Sequence, residues 1–415
     1  MSRLSQWLGL LLLSLSVPVY AADETPPDLQ TMWKMMQQQQ VEIQTLKAEN
    51  KRLSEKVDMA GDMAEEAIKT RPEVQHAAAH DTPEPGSTSV HKTHGANMQK
   101  TSIGGYGELH YNNLDSKKEA DFHRFVLFFG HEFSDTIRFF SELEVEHAIA
   151  GGDNDGEVSM EQAYLEMDLN DSLSARAGIL LMPFGIINET HEPPTFYGVE
   201  RNPINKYIIP TTWREAGAGV NGKMAPGWSY DLIVTTGLDV DNTYNIRGGR
   251  QKASNADASD LAYTGRVKWT GMPGLELGLS AQYQEDITQG KDPSAGSATL
   301  LETHAVWQRG PIGLRALYAR WDLDGSGPDA IGRDEQYGWY VEPSYRINTT
   351  WGVFTRYNEW DNNSGSGSLA DTKVEQWDVG LNYWPHEDVV LKLDYQNQSG
   401  AKNDDGFNLG IGYQF

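Results

Sequence analysis

Residues 405–415 read DGFNLGIGYQF, in which Phe407, Leu409, Ile411, Tyr413 and Phe415 alternate with Asn408, Gly410, Gly412 and Gln414. Successive side chains of a β-strand point to opposite faces, so this segment has one apolar and one polar face. The pattern recurs upstream. Leu275, Leu277, Leu279, Ala281 and Tyr283 alternate with Glu276, Ser280, Gln282 and Gln284, and Trp377, Val379, Leu381 and Tyr383 alternate with Gln376, Asp378 and Asn382. Beyond the first 22 residues the longest wholly apolar run is 125–129, far short of the ~20 residues a membrane-spanning helix needs. Strands with half an apolar face each carry no such requirement.

Sixteen candidate strands fall between 103 and 415, beginning with 103–112 and 121–133 and ending with 388–399 and 404–415. Tight turns separate alternate pairs, among them Ser134-Asp135, Asn170-Asp171, Pro226-Gly227, Pro273-Gly274 and Gly310-Pro311. The intervening connections, such as 148–156, 239–258, 287–297, 324–333 and 362–372, are longer and rich in Gly, Asp, Asn and Ser. An even strand number with short turns on one side and long loops on the other predicts a closed antiparallel transmembrane barrel, whose apolar face meets lipid and whose polar face meets water. Tryptophans gather near strand ends, with Trp228, Trp269, Trp307, Trp351 and Trp384 by the short turns and Trp321, Trp339 and Trp360 by the long loops. Two interfacial belts are the expectation.

The first hundred residues differ. Arg3, the apolar stretch 8–15 and Val19-Tyr20-Ala21 predict a signal peptide over 1–21. Residues 22–60 carry a heptad, with Leu29, Met36, Ile43, Asn50 and Val57 at a and Met32, Gln39, Leu46, Leu53 and Ala60 at d. That spacing predicts a coiled coil, or else one amphipathic helix. Residues 61–100, with Pro72, Pro83, Pro85 and His76, His80, His91 and His94, are expected to form a flexible linker. The fold class expected is therefore all-β: a 16-stranded barrel over 101–415 preceded by an N-terminal coiled-coil helix.

One connection stands apart. Residues 182–212 read MPFGIINETHEPPTFYGVERNPINKYIIPTT, and loops of this length are usually functional. Falling third among the long connections, this one is placed to fold into the lumen and narrow it. Its candidate solute-binding residues are Glu189, His191, Glu192, Glu200, Arg201 and Lys206, with Arg214 at the next strand's start. Strand parity turns Arg124, Arg138, Arg176, Arg266, Lys268, Arg315, Arg346 and Arg356 toward the lumen. Glu142, Glu144, Glu146, Glu166, Asp168, Glu276, Glu302, Glu342, Asp378 and Asp394 oppose them. Mixed charges imply a polar wall with a transverse field.

The formal net charge of −25 makes nucleic acid an unsuitable partner. There are no cysteines, hence no disulfides or thiolate metal sites. Asp322 to Gly327 matches a calcium loop only loosely, because position twelve is Arg333 rather than Glu. No catalytic motif, metal site or cofactor is expected.

The run from Met182-Pro183-Phe184-Gly185 through Glu189, His191, Pro193 and Arg201 to Ile209-Pro210-Thr211-Thr212-Trp213, together with the Phe415 ending, resembles the phosphate-selective porin (porin O and P) family of Gram-negative outer membranes. The resemblance covers roughly 101–415 and implies a trimeric sixteen-stranded outer-membrane channel without enzymatic activity. Tyr413 and Phe415 are similar to the signal read by the barrel assembly machinery. The implied function is passive diffusion of small hydrophilic solutes or ions, possible anions such as phosphate included. Acidic loops bridged by divalent cations to lipopolysaccharide, and a periplasmic N-terminal segment, complete the expectation. A structural envelope tether with a closed barrel as anchor is the alternative.

Overall fold

The computed structural model describes residues 100–151, 156–367 and 371–415. The expected signal peptide, coiled coil and all of the linker but Lys100 lie outside the described residues. The strands are β1 (Thr101–Leu114), β2 (Lys118–Glu132), β3 (Ile137–Glu146), β4 (Val158–Asn170), β5 (Leu173–Leu181), β6 (Arg214–Ala225), β7 (Trp228–Thr235) and β8 (Ala262–Met272). The remainder are β9 (Leu275–Gln284), β10 (Ala298–Arg309), β11 (Ile312–Leu323), β12 (Glu335–Arg346), β13 (Trp351–Asp361), β14 (Val374–His386), β15 (Val389–Gly400) and β16 (Gly406–Gln414). Each strand pairs antiparallel with its neighbours, and β1 pairs with β16 to close the barrel, Tyr106 lying opposite Gln414 and Leu114 opposite Gly406. Closure removes the unpaired edge that lipid could not satisfy.

Period two decides which face is which. Leu277, Leu279 and Tyr283 are exposed on β9, whereas Ser280, Gln282 and Gln284 between and beyond them are buried in the interior. On β15, Leu391, Leu393 and Tyr395 are exposed, and Lys392, Asp394 and Gln396 are buried. Apolar outside and polar inside inverts a soluble protein and fits a bilayer. At two of the short turns, Gly227 and Gly274 take φ of +79° and +76° directly after proline. Proline presets the first central position of such a turn, and glycine supplies the positive φ of the second.

The tryptophans do not all lie in interfacial belts. Trp321, Trp360 and Trp384 are buried inside the barrel. Trp321 shares a face with Leu317 and Ala319, which are also buried, so its position near a strand end says nothing about which side it faces. These rings meet the long loops: Trp321 Nε1 donates to the Ile208 carbonyl, and Trp384 Nε1 donates to that of Pro194. Trp228 and Trp351 are exposed and pair with Trp269 and Tyr383 at 6.4 and 4.3 Å.

The interior is thus not wholly polar. Met182, Phe184, Ile204, Ile208, Ile209 and Trp213 form one apolar cluster with Leu238, Val240, Tyr244 and Ile246 of the next long loop and with Leu300, Leu317, Tyr340 and Trp360 of the wall. Burial of this surface, at ~25 cal/mol per Å², holds the loops within the lumen. Aromatic stacking adds to it, with Phe184 5.3 Å from Trp213 and Tyr207 5.4 Å from Trp360.

Candidate pore constriction

Residues 182–212 leave β5 and return to β6 across the lumen. Asn188 ties the two ends together: its Nδ2 donates to the carbonyls of Met182 and Trp213, and its Oδ1 accepts from the Trp213 amide. Between those ends the loop reaches the far wall. Val199 N donates to Asp394 on β15 at 2.6 Å, Lys392 Nζ donates to the Gly198 carbonyl, and Arg315 on β11 donates to the Thr195 carbonyl. A Cβ at Gly412 would lie 2.2 Å from Pro193, so β16 carries glycine where the loop touches it. A short helix, Ile204–Tyr207, then packs against β12 and β13.

Glu189 and Glu200 of the loop are engaged with the wall rather than with Arg201. Glu189 is held by Arg266 on β8. Glu200 Oε1 lies 3.1 Å from His110 Nδ1 and accepts from Asn112 at 3.0 Å. Glu192 Oε2 is buried without a hydrogen-bond partner, and His191 is buried against Glu161. Lys206 is exposed, its Nζ 5.5 Å from the Tyr207 ring centre.

Most wall cations are neutralised across strands. Arg124 pairs with Glu108 at 2.9 Å and Glu144 at 3.0 Å, Arg138 with Glu166 and Asp168, and Arg176 with Asp231. Arg266 pairs with Asp231 and Glu189, Lys268 with Glu276, and Arg356 with Glu342 and Asp378, both at 3.0 Å. Arg346 instead stacks 3.6 Å over Trp384. These groups form the polar wall, in which most cations are shared between two carboxylates.

A different situation holds around Thr211 and Thr212. Arg201 Nη1 donates to Thr212 Oγ1 at 2.9 Å, Arg247 Nη1 donates to Thr211 Oγ1 at 2.9 Å, and Arg250 donates to the Thr211 carbonyl. Arg214 follows two residues later and donates to Ser159 at 2.8 Å. Among the described residues, none of these four guanidiniums has a carboxylate within 4.0 Å. Among the same residues, Arg201 Nη2 and Arg214 Nε are buried with no hydrogen-bond partner. Burial disfavours the charged forms of Arg201 and Arg247; the Arg124 guanidinium adds to this at Arg201, and Arg201 and Arg124 do so more weakly at Arg247. Thr212 itself has φ +45°, an outlier for a β-branched residue and a mark of local strain. Unsatisfied buried donors on crowded cations are the elements of an anion site.

The sequence singled out Arg201 and Arg214 but not Arg247 and Arg250. These two belong to the loop after β7, and only the folding of both loops into one lumen brings them to Thr211. No spacing in the chain announces that meeting. Glu161 was also missed. A β-bulge between Glu142 and Leu143 of β3 and their partners on β4 sets Gln162 and Met160 opposite successive residues, so adjacent Glu161 and Gln162 both turn inward. At the other rim, Phe415 exchanges backbone hydrogen bonds with Gly105 and sits with its ring 6.4 Å from Phe125, while Tyr413 covers Gly107.

Comparison with known proteins agrees with this architecture. An uncharacterised protein of Aquifex aeolicus (strain VF5) is 31% identical over 358 residues, spanning 76% of this chain and 80% of that protein. Among solved structures, the anion-selective porin of Comamonas acidovorans superposes with a TM-score of 0.54 at 11% identity, covering 76% of this chain and 99% of that one. The outer membrane channel DcaP of Acinetobacter baumannii gives 0.53 at 16% identity, with 76% and 97% covered. The phosphate-selective porin O and P family matches residues 104–408. That match spans the closed sixteen-stranded barrel almost from end to end, and this chain belongs to the phosphate-selective porin O and P family.

Proposed function

We propose that this outer-membrane porin passes small hydrophilic anions, phosphate among them, by passive diffusion through a constriction made by residues 182–212 and the loop after β7. The observation that carries this reading is the cluster Arg201, Arg214, Arg247 and Arg250, which lacks carboxylate partners although the chain as a whole is acidic. An anion entering there meets donors left without acceptors and relieves repulsion among the guanidiniums. The wall charges are held in pairs across strands and solvate the passage. Glu189 and Glu200 are turned to the wall, the first paired with Arg266 and the second hydrogen-bonded to His110 and Asn112.

Family membership supports assembly as a homotrimer, and the acidic loops suit divalent-cation bridges to lipopolysaccharide. The N-terminal segment belongs on the periplasmic side in this reading. The test is chloride current through the purified protein in planar bilayers with phosphate added stepwise. Phosphate held by the cluster reduces the chloride current in a saturable way, and Arg201→Ala weakens that block. A current indifferent to phosphate overturns the reading.

A further inference from the structure

Behind the constriction loop, Glu142 on β3, Glu161 on β4 and His191 in the loop bring one ligand-type atom each to within 4.8 Å of one another, and all three side chains are buried. His191 Nδ1 lies 3.0 Å from the Asn188 carbonyl oxygen. A carbonyl only accepts, so Nδ1 carries the proton and the lone pair of a neutral ring sits on Nε2. That nitrogen faces Glu161 Oε2 at 3.4 Å, which sets one acceptor against another. Glu161 Oε1 and Glu142 Oε2 have no hydrogen-bond partner. Arg124, the nearest cation, already serves Glu108 and Glu144 and stands 3.9 Å from Glu161.

A proton on Nε2 satisfies one contact and leaves the Glu142 oxygen bare. A cation at the centre satisfies all three groups. We infer that Glu142, Glu161 and His191 bind a divalent transition-metal cation of the zinc class and so clamp the constriction loop to the barrel wall. Imidazole with two carboxylates is a zinc-type donor set and a poor one for calcium or magnesium. The Nε2 to Oε2 separation matches the edge of a tetrahedron with ~2.1 Å metal–ligand bonds. The Nδ1 hydrogen bond to a carbonyl fixes the tautomer in the way that metal-ligating histidines are oriented. The bulge that turns Glu161 inward is the kind of local irregularity that re-aims a side chain at a site. Two strands and one loop, joined at a single ion, are cross-linked without a disulfide in a chain that has no cysteine.

The experiment uses full-length protein in detergent, stripped with a chelator and titrated with Zn²⁺ by calorimetry, with metal content read by mass spectrometry. Wild type, Glu142→Gln and His191→Gln are compared, each first shown to keep the heat-modifiable gel shift of a closed barrel. The wild type is expected to hold one Zn²⁺ per chain that both variants bind at least tenfold more weakly. Differences between proteins matter here, because the linker histidines are common to all three and cancel. Glu161→Gln replaces any variant that fails the gel shift. Folded variants that bind Zn²⁺ with wild-type affinity and stoichiometry overturn the site, as does a wild type that retains none. Either result leaves the phosphate block of chloride current, and hence the anion reading, standing on its own test.

Discussion

Replacing Arg247 by Glu tests the anion cluster at a position where the fold has least to lose. Arg247 lies on the short 3-10 turn Ile246–Gly249, is half-buried, and makes one side-chain hydrogen bond, to Thr211. Its removal breaks no ion pair among the described residues. A guanidinium about 4 Å from a monovalent anion contributes ~1 kcal/mol at the dielectric of water and ~4 kcal/mol at an effective dielectric of 20. Charge reversal deletes that attraction and adds a repulsion of similar size. Even at the water limit the anion loses ~2 kcal/mol, a factor of roughly 30 in its partition into the constriction. Screening does not erase this, because the contact is shorter than the ~8 Å Debye length at physiological salt. The assay is the reversal potential under a KCl gradient, for wild type and variant that both show the gel shift of a folded barrel. The variant is expected to move strongly toward cation preference. A reversal potential that stays at the wild-type value, with conductance retained, refutes the placement of Arg247 at the ion path.

Other expectations follow from the same contacts. Arg356→Met leaves Glu342 and Asp378 buried without their shared cation, and should cost ~3–5 kcal/mol, lowering the temperature at which the gel shift is lost; an unchanged temperature refutes the wall pairing. Trp213→Ala removes a fully buried ring stacked on Phe184, a loss of ~3–5 kcal/mol confined to the loop. Residues 182–212 should then become protease-sensitive while the barrel stays closed. Gly412→Val places side-chain atoms where Pro193 now sits, so the loop is pushed into the lumen and single-channel conductance falls. Unaltered conductance would put the loop away from β16.

The strands were legible because lipid and water impose opposite demands on alternate residues, and sixteen repetitions of one pattern are hard to mistake. Turn chemistry such as Pro226-Gly227 and Pro273-Gly274 separated them. Burial of Trp321, Trp360 and Trp384 was not legible, since it depends on apolar loop residues arriving from far away in the chain. Periodicity also fails at a bulge, and Glu161 is inward only because one extra residue in β4 shifts the parity. Charges of both signs on the inward faces are legible from strand parity. What decides their effect is pairing, and pairing is a property of register and loop position. Thus Arg266 and Arg356 are neutralised by strand neighbours, whereas Arg247 and Arg250 converge on Thr211 from another loop and keep their charge unpaired.

The reversal potential of the wild-type protein itself, measured in a planar bilayer across a KCl gradient, bears most directly on whether four unpaired arginines outweigh an acidic chain at the constriction. The expected potential has the sign set by chloride as the more permeant ion. A potential of the opposite sign, set by potassium, would contradict it.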